Sequence, residues 1–557
     1  MVKKMQVFCA LLSLACYTNA EPGICKEEPS GLKEVTLGTL KPRGDRRVIY
    51  NSDPSNTTSQ LSDPAAQPKE LREIVRKYAK EGNIDTLVQE VFSEAMTVFW
   101  RTDKCPYDVR YWHQRLVPMM DASLMPIEVY IDECHKQGME FIAGFRMNDR
   151  HGQNPDFFEK LSNEHPDWIL TDYKPSWEGA PPRSHKYGCA LNYSVEGVRN
   201  FLFEIMEEVA NRFDIDGIEF NFTRLAECFP IGKAEESHSI MTSFVRRVRK
   251  MLDEAGKKKE RELILGVRVP QQLEGCKKMG FDVPTWIEER LIDYVAPGDF
   301  GFTDFNERYE DFVRLSRSYD CYVYPQVQPR IGIRSGLHMV PSRYRAAVQN
   351  FYGAGADGFS TQNFFHNWAP SFAVPGEDGP SVPEMYPKAL NYLKELRSPE
   401  SIAAAGDRHY VFHPLWLGSG PNGEGMSGIY KQEQIVLNRQ QLGDRGEFRF
   451  RICERLAPRS KISGDTLLSG VMLLFRPDIA PGDEIEVDIN GKRVPAEDIE
   501  YQWYDEKGRP PLCTLALTSP PAVYGDNYLG LKLVKSTPEA QGDVVLLEVE
   551  VMVKAAE

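Results

Sequence analysis

Eight short runs rich in β-branched and aromatic residues occupy the chain from residue 48 to about Arg397, and stretches with helical spacing alternate with them. They are VIYN (48–51), MTVFW (96–100), EFIAGFRM (140–147), GIEFNF (217–222), LILGVRVP (263–270), DYVAPGDF (293–300), YVYPQVQ (322–328) and GFSTQNF (358–364). Parallel strands need a long crossover between them, and a helix is the usual one. Eight strand-helix repeats over roughly 350 residues predict a closed (β/α)8 barrel, an α/β fold, across residues 47–402.

The crossover signals are strong in two places. Residues 195–213 set Val198, Phe201, Leu202, Ile205, Met206, Val209 and Phe213 on one stripe, with Ser194 as the expected N-cap. Residues 237–255 repeat the pattern and are expected to stop at Gly256. Past Ser398 the texture changes. VFHPLWL, GIYKQEQIVL, EFRFRICERL, GVMLLFRP, EIEVDING, CTLALTS, YLGLKLV and DVVLLEVEVMV are short alternating runs broken by Gly, Pro, Asp and Asn. They predict a C-terminal antiparallel β-sandwich over 403–557, with DING as a hairpin turn.

A length of 557 residues calls for more than one core. The formal charge of −14 disfavours nucleic acid as a partner. The start, MVKKMQVFCALLSLACYTNA, has two lysines, a short apolar run and Thr18-Asn19-Ala20, so residues 1–20 read as a signal peptide and the protein as secreted or periplasmic. Cys16 offers a lipid anchor as the alternative. A polar leader fills 21–46, and no segment reads as a membrane span. Nine cysteines follow Cys16 without CxxC or His-Cys spacing, so no metal site or cofactor is expected.

Barrel chemistry sits at the carboxyl ends of the strands. With the apolar alternates Ile218, Phe220 and Phe222 facing the helices, Gly217, Glu219 and Asn221 face inward. The same reasoning turns Arg146 and Asn148 inward on the third strand, followed by Asp149 and His151. It adds Arg268 on the fifth strand, Gln326 and Gln328 on the seventh, and Gln362 and Asn363 on the eighth. Asp299 and Asp304 lie near the end of the sixth. So dense a polar lining is costly unless it meets water, a polyhydroxylated ligand or internal partners. For Glu219 two readings stand: a carboxylate aimed at substrate, or an ion pair with Arg146 or Arg268 across the barrel. Long loops carrying Trp168, Tyr173, Trp177 and Trp368 suit sugar rings, which present an apolar face and a rim of hydroxyls.

The segments FRMNDRHG, EHPDWIL and ALNYSVEGVRNFLFEIMEEVANRFDIDGIEFNFTR resemble the glycosyl-hydrolase-10-like group of secreted bacterial barrel proteins. The likeness is strong across the third and fourth strands and architectural elsewhere. It implies a barrel, export and glycosidase activity. Four positions depart from related patterns. Asn221 stands where the group has Asp, Thr223 where a chitinase-like motif has Glu, and Gln326 and Gln328 where family 10 enzymes carry an acid on the seventh strand.

Glycoside hydrolysis needs one carboxylic acid and one carboxylate flanking the bond. Glu219 is the expected central residue, with Asp149 or Asp299 opposite. Arg146, Asn148, His151, Asn221, Arg224, Arg268, Gln326, Gln328, Gln362, Asn363 and Trp368 are expected to hold the sugar. Arg146, Arg224 and Arg268 suit an anionic one. The alternative is a non-catalytic carbohydrate-binding protein with Asn221 as its relic.

Overall fold

In a computed structural model of the chain, the described residues are 35–555 apart from 94–96, 149–154, 171–189, 224–225, 231, 300–302, 332–338, 363, 365–385, 413–434, 457–467, 505–508 and 519–520. Eight parallel strands close into a barrel. The first six are Val48–Ser52, Thr86–Ser93, Glu140–Arg146, Gly217–Asn221, Ile264–Val269 and Tyr294–Pro297, each pairing with the next in chain order. The seventh comes in two pieces. Tyr322–Val323 pairs with the sixth strand, and Gln326–Val327 pairs with the eighth, Phe359–Thr361. Pro325 lies between them and donates no hydrogen bond, yet its carbonyl accepts one from Ser360 at 2.9 Å. The eighth strand returns to the first and completes the ring.

The second strand corrects the sequence expectation. Thr86–Ser93, TLVQEVFS, occupies that place, and MTVFW supplies only a two-residue antiparallel arm, Thr97–Val98, against Phe92 and Ser93. Gln89 and Glu90 disguise the true strand, because buried polar residues break the apolar run that marks a parallel strand. Two helix ends also differ. Glu196–Arg212 has Val195 at its N-cap with no side-chain cap, so Ser194 does not fill that role. His238–Lys259 runs past Gly256 and stops at Glu260, whose φ of 57° makes the left-handed cap.

Two layers fill the barrel interior. Ile49, Val88, Ile142, Tyr294, Ala296 and Tyr324, with Ile264 and Tyr322 against them, plug the end where the strands begin. Above the plug the inward residues are polar: Glu90, Arg146, Glu219, Asn221, Arg268, Gln326 and Gln362 are all buried. The outward alternates pack on helices. Phe220 stacks on Phe244 at 6.0 Å, and Phe222 meets Phe281 at 4.4 Å. Gly266 is required for this layering, because a Cβ there would lie 2.0 Å from the Tyr294 ring.

Two antiparallel sheets follow the helix Pro399–Ala405. One orders Arg408–Phe412, Val544–Ala555, Leu468–Pro477, Leu512–Ala516 and Ile499–Gln502, with Val436–Leu437 also on Val544–Ala555. The other orders Arg445–Ile452, Gly525–Lys535, Glu484–Ile489 and Lys492–Arg493. Val549, Val551 and Val553 alternate inward on the first, Leu529, Leu531 and Leu533 on the second, and Phe412 meets Phe450 at 6.1 Å. This is a sandwich. Asn490 and Gly491 both have positive φ, as the two-residue turn of DING demands.

The sandwich is bound to the barrel through polar contacts. Asn350 donates to the carbonyls of Phe305 and Arg451, both at 2.9 Å, and accepts from the Cys453 amide. Arg451 is buried between Glu310, on the helix after the sixth strand, and Asp526. Cys105, Cys134, Cys228, Cys276, Cys321, Cys453 and Cys513 are buried thiols. Among the described residues no helix is long and apolar enough to cross a membrane.

Candidate functional site

The strand register dictates the floor of the barrel mouth. Glu219 lies beside Gly144 and Gly266, which carry no side chains, so Arg268 and Tyr294 can both lean over them to reach it. Arg268 Nε donates to Glu219 Oε1 at 2.6 Å and the Tyr294 hydroxyl to Oε2 at 2.7 Å. Arg268 also meets Ser360. Burial holds the Tyr294 phenol well above its ordinary pKa, so it stays a donor. Neither Glu219 nor Arg268 has exposed side-chain surface.

A second polar group lies toward the mouth. Arg146 pairs with Asp53, at the end of the first strand, and with Glu90 on the second. The Asn221 amide donates to Glu90 Oε1 at 3.0 Å and accepts from the Thr223 hydroxyl at 3.0 Å. Gln328 donates to the Asp299 carbonyl at 2.9 Å and to Gln362 Oε1 at 3.1 Å, while Gln326 donates to the Ala296 carbonyl. Asn148 is spent on backbone: it bridges Leu191 and the carbonyl of Glu227 and brackets the third loop. Asp299 is buried at the end of the sixth strand. Asp149, His151, Arg224, Asn363 and Trp368 lie outside the described residues.

Several buried amide atoms here have no hydrogen-bond partner: Asn51 Nδ2, Gln271 Oε1, Gln328 Oε1 and Gln362 Nε2. Such atoms cost free energy unless a ligand or water meets them. They combine donors and acceptors, which suits a hydroxyl-rich guest. The Trp168 ring belongs elsewhere: it stacks on His165 at 4.3 Å and lies against Gly197 and Phe201, pinning its loop to a helix.

Sequence reading missed Asp53, Glu90 and Glu307. Asp53 was legible as the acid before Pro54 and caps the short helix Pro54–Thr58. Glu90 was lost with the second strand. Glu307, beyond Asp304 in the sixth loop, is pushed up to about 8 by burial and then by the Asp304 charge, and it accepts from Gln272 at 3.0 Å. His113, in the loop after the second strand, is held down at about 4 by burial. Among the described residues no group of three His, Cys, Asp or Glu side chains is placed to hold a metal ion.

No curated protein matches the chain. Solved structures of low similarity include an alpha-amylase from Geobacillus thermoleovorans complexed with acarbose (13% identity, TM-score 0.39, covering 87% of this chain and 98% of that one). A cycloisomaltooligosaccharide glucanotransferase from Paenibacillus sp. has 12% identity and a TM-score of 0.34 over 90% of this chain. Alpha-L-fucosidase isoenzyme 2 from Paenibacillus thiaminolyticus has 12% identity and 0.40 over 65%. The present chain spans 57% of the glucanotransferase and 49% of the fucosidase. The family model of glycosyl hydrolase-like 10 matches residues 55–233, from the first barrel loop past the fourth strand.

Proposed function

We propose that the chain hydrolyses glycosidic bonds of an oligo- or polysaccharide bound in the barrel mouth. The observation that carries this reading is the set of buried, unpartnered amide atoms of Asn51, Gln271, Gln328 and Gln362, in a barrel whose first half has glycosyl hydrolase-like sequence. Sugar hydroxyls donate and accept at once, so a single class of ligand can satisfy all four.

In this reading Asp299 and Asp149 are the reacting carboxylates, one protonating the leaving oxygen and the other acting as base or nucleophile. Glu219 positions Arg268, because both its oxygens are already taken. Arg146 and Arg268 face internal carboxylates, so they do not select an anionic sugar. That preference falls to Arg224. The signal-peptide pattern of residues 1–20 supports export, and N-terminal sequencing of the mature protein checks it.

A screen for reducing ends released from a panel of polysaccharides tests the activity. Asp299→Asn is expected to lower turnover by about a hundredfold or more. A second reading, sugar binding without hydrolysis, is favoured by Asn221: an amide fills the position where an acid would react, locked between Glu90 and Thr223. Retention in affinity electrophoresis with no release of reducing ends would establish that reading instead.

A further inference from the structure

The loop after the second strand carries aromatic side chains that the barrel does not use for packing. Tyr111 is 64% exposed and Trp112 39% exposed, beside an exposed Val109. Exposed rings on a mobile loop would mean little, but this loop is held at many points. Arg110 donates to both oxygens of Asp108 and, at 3.1 Å, to Ser55 Oγ in the first loop. Arg115 donates to the carbonyls of Thr58 and Leu61, the Tyr111 hydroxyl meets Asp63, and the Tyr107 hydroxyl donates to the His113 carbonyl at 2.7 Å. The guanidiniums of Arg110 and Arg115 lie over the Trp112 and Tyr111 rings at 5.7 and 5.6 Å. They brace the rings while leaving both side chains substantially exposed.

The platform continues into the mouth. Ser55, which receives Arg110, donates its backbone amide to Asp53, and Asp53 pairs with Arg146. Beside it His113 is fully buried with neither ring nitrogen hydrogen-bonded. We propose that Tyr111 and Trp112 form a stacking platform for a sugar ring, a subsite that engages residues of a saccharide extending out of the barrel mouth. The proposal rests on the glycosidase reading above and deepens it. Rigid aromatic faces gain contact with a pyranose at little entropic cost, because the loop is already ordered. The polar rim of Arg110, Arg115 and Asp63 supplies hydrogen-bonding groups for hydroxyls.

The test compares disaccharides with hexasaccharides of the cello, xylo, malto and chito series on the full chain, by titration calorimetry in the cold. The wild type is expected to prefer the longer member of one series. Tyr111→Ala and Trp112→Ala are each expected to lower the ratio of hexasaccharide to disaccharide affinity by about tenfold, and Trp112→Phe to keep most of it. Both alanine variants should stay folded with melting temperatures close to wild type, since Arg110, Arg115 and Tyr107 still tether the loop. A ratio unchanged in both variants overturns the platform and leaves the barrel site standing. Failure of the wild type to bind any member overturns the platform, and if the polysaccharide panel also releases no reducing ends the glycosidase reading falls with it. Dimerisation of the wild type that Trp112→Ala abolishes, seen in sedimentation, makes the patch a contact between copies and also overturns the proposal.

Discussion

Glu219 has no solvent contact, and donors from two other strands meet its two oxygens. Removing one member of such a buried pair strands the other. Glu219→Ala is therefore expected to cost about 3–5 kcal/mol, read from urea unfolding, whereas Asp299→Asn should alter activity far more than stability. Glu307 makes the opposite demand on its surroundings. Its folded pKa of about 8 exceeds the ordinary 4.5, so its contribution is complete below 4.5 and drains away as pH rises to 8. His113, held at about 4 against 6.5, opposes this only below 6.5, where the unfolded chain takes up the proton first. Between pH 6.5 and 8 the Glu307 effect stands clear. Stability should fall across that window in the wild type and fall less in Glu307→Gln, as melting curves at several pH values will show.

Among the elements, the barrel strands work because small residues alternate with very large ones. Gly266 faces the Tyr294 ring, and Gly217 lies against the Ile264 backbone, where a Cβ would come within 2.3 Å of the carbonyl oxygen. Gly266→Ala must push Tyr294 away from Glu219. The expected loss is about 1–3 kcal/mol, with a disturbed tyrosine signal in near-ultraviolet dichroism. A Tyr294→Phe background keeps the overpacking but has no hydroxyl bond to lose, so there the same glycine substitution should cost less. The second strand teaches a related lesson. Its inward Glu90 serves the mouth, and together with the buried Gln89 beside it hides the strand from a search for apolar runs.

For the whole molecule, the seam between barrel and sandwich has Arg451 as its central charge, with Phe305 packed edge-on against Tyr410 and Phe412. Arg451 is buried, while its partners Glu310 and Asp526 are partly exposed, so solvent screens part of the pair energy. Arg451→Met is expected to cost roughly 2–3 kcal/mol, less than a wholly buried pair would. In calorimetry the wild type is expected to unfold in one transition and this variant in two, because the seam loses its central charge while both cores stay intact. One transition of unchanged width would show that the amide brackets of Asn306 and Asn350 suffice to couple the two parts.

The chain's local pattern determined seven of the eight barrel strands, the facing of GIEFNF, the Asn-Gly turn of DING and the change from barrel to sandwich. These follow from periodicity and turn chemistry, which act over a few residues and are written in order along the sequence. Tertiary structure alone decided which inward polar group meets which. Arg268 could have answered Glu219 or a ligand, and Arg146 could have reached Glu219 rather than Asp53 and Glu90; only strand register and the empty space over Gly144 and Gly266 selected among them. The exposed rings of Tyr111 and Trp112 were equally undecided, since an aromatic in a loop reads alike whether it packs inward or faces water. Pairings between residues far apart in sequence depend on distances that no local pattern encodes.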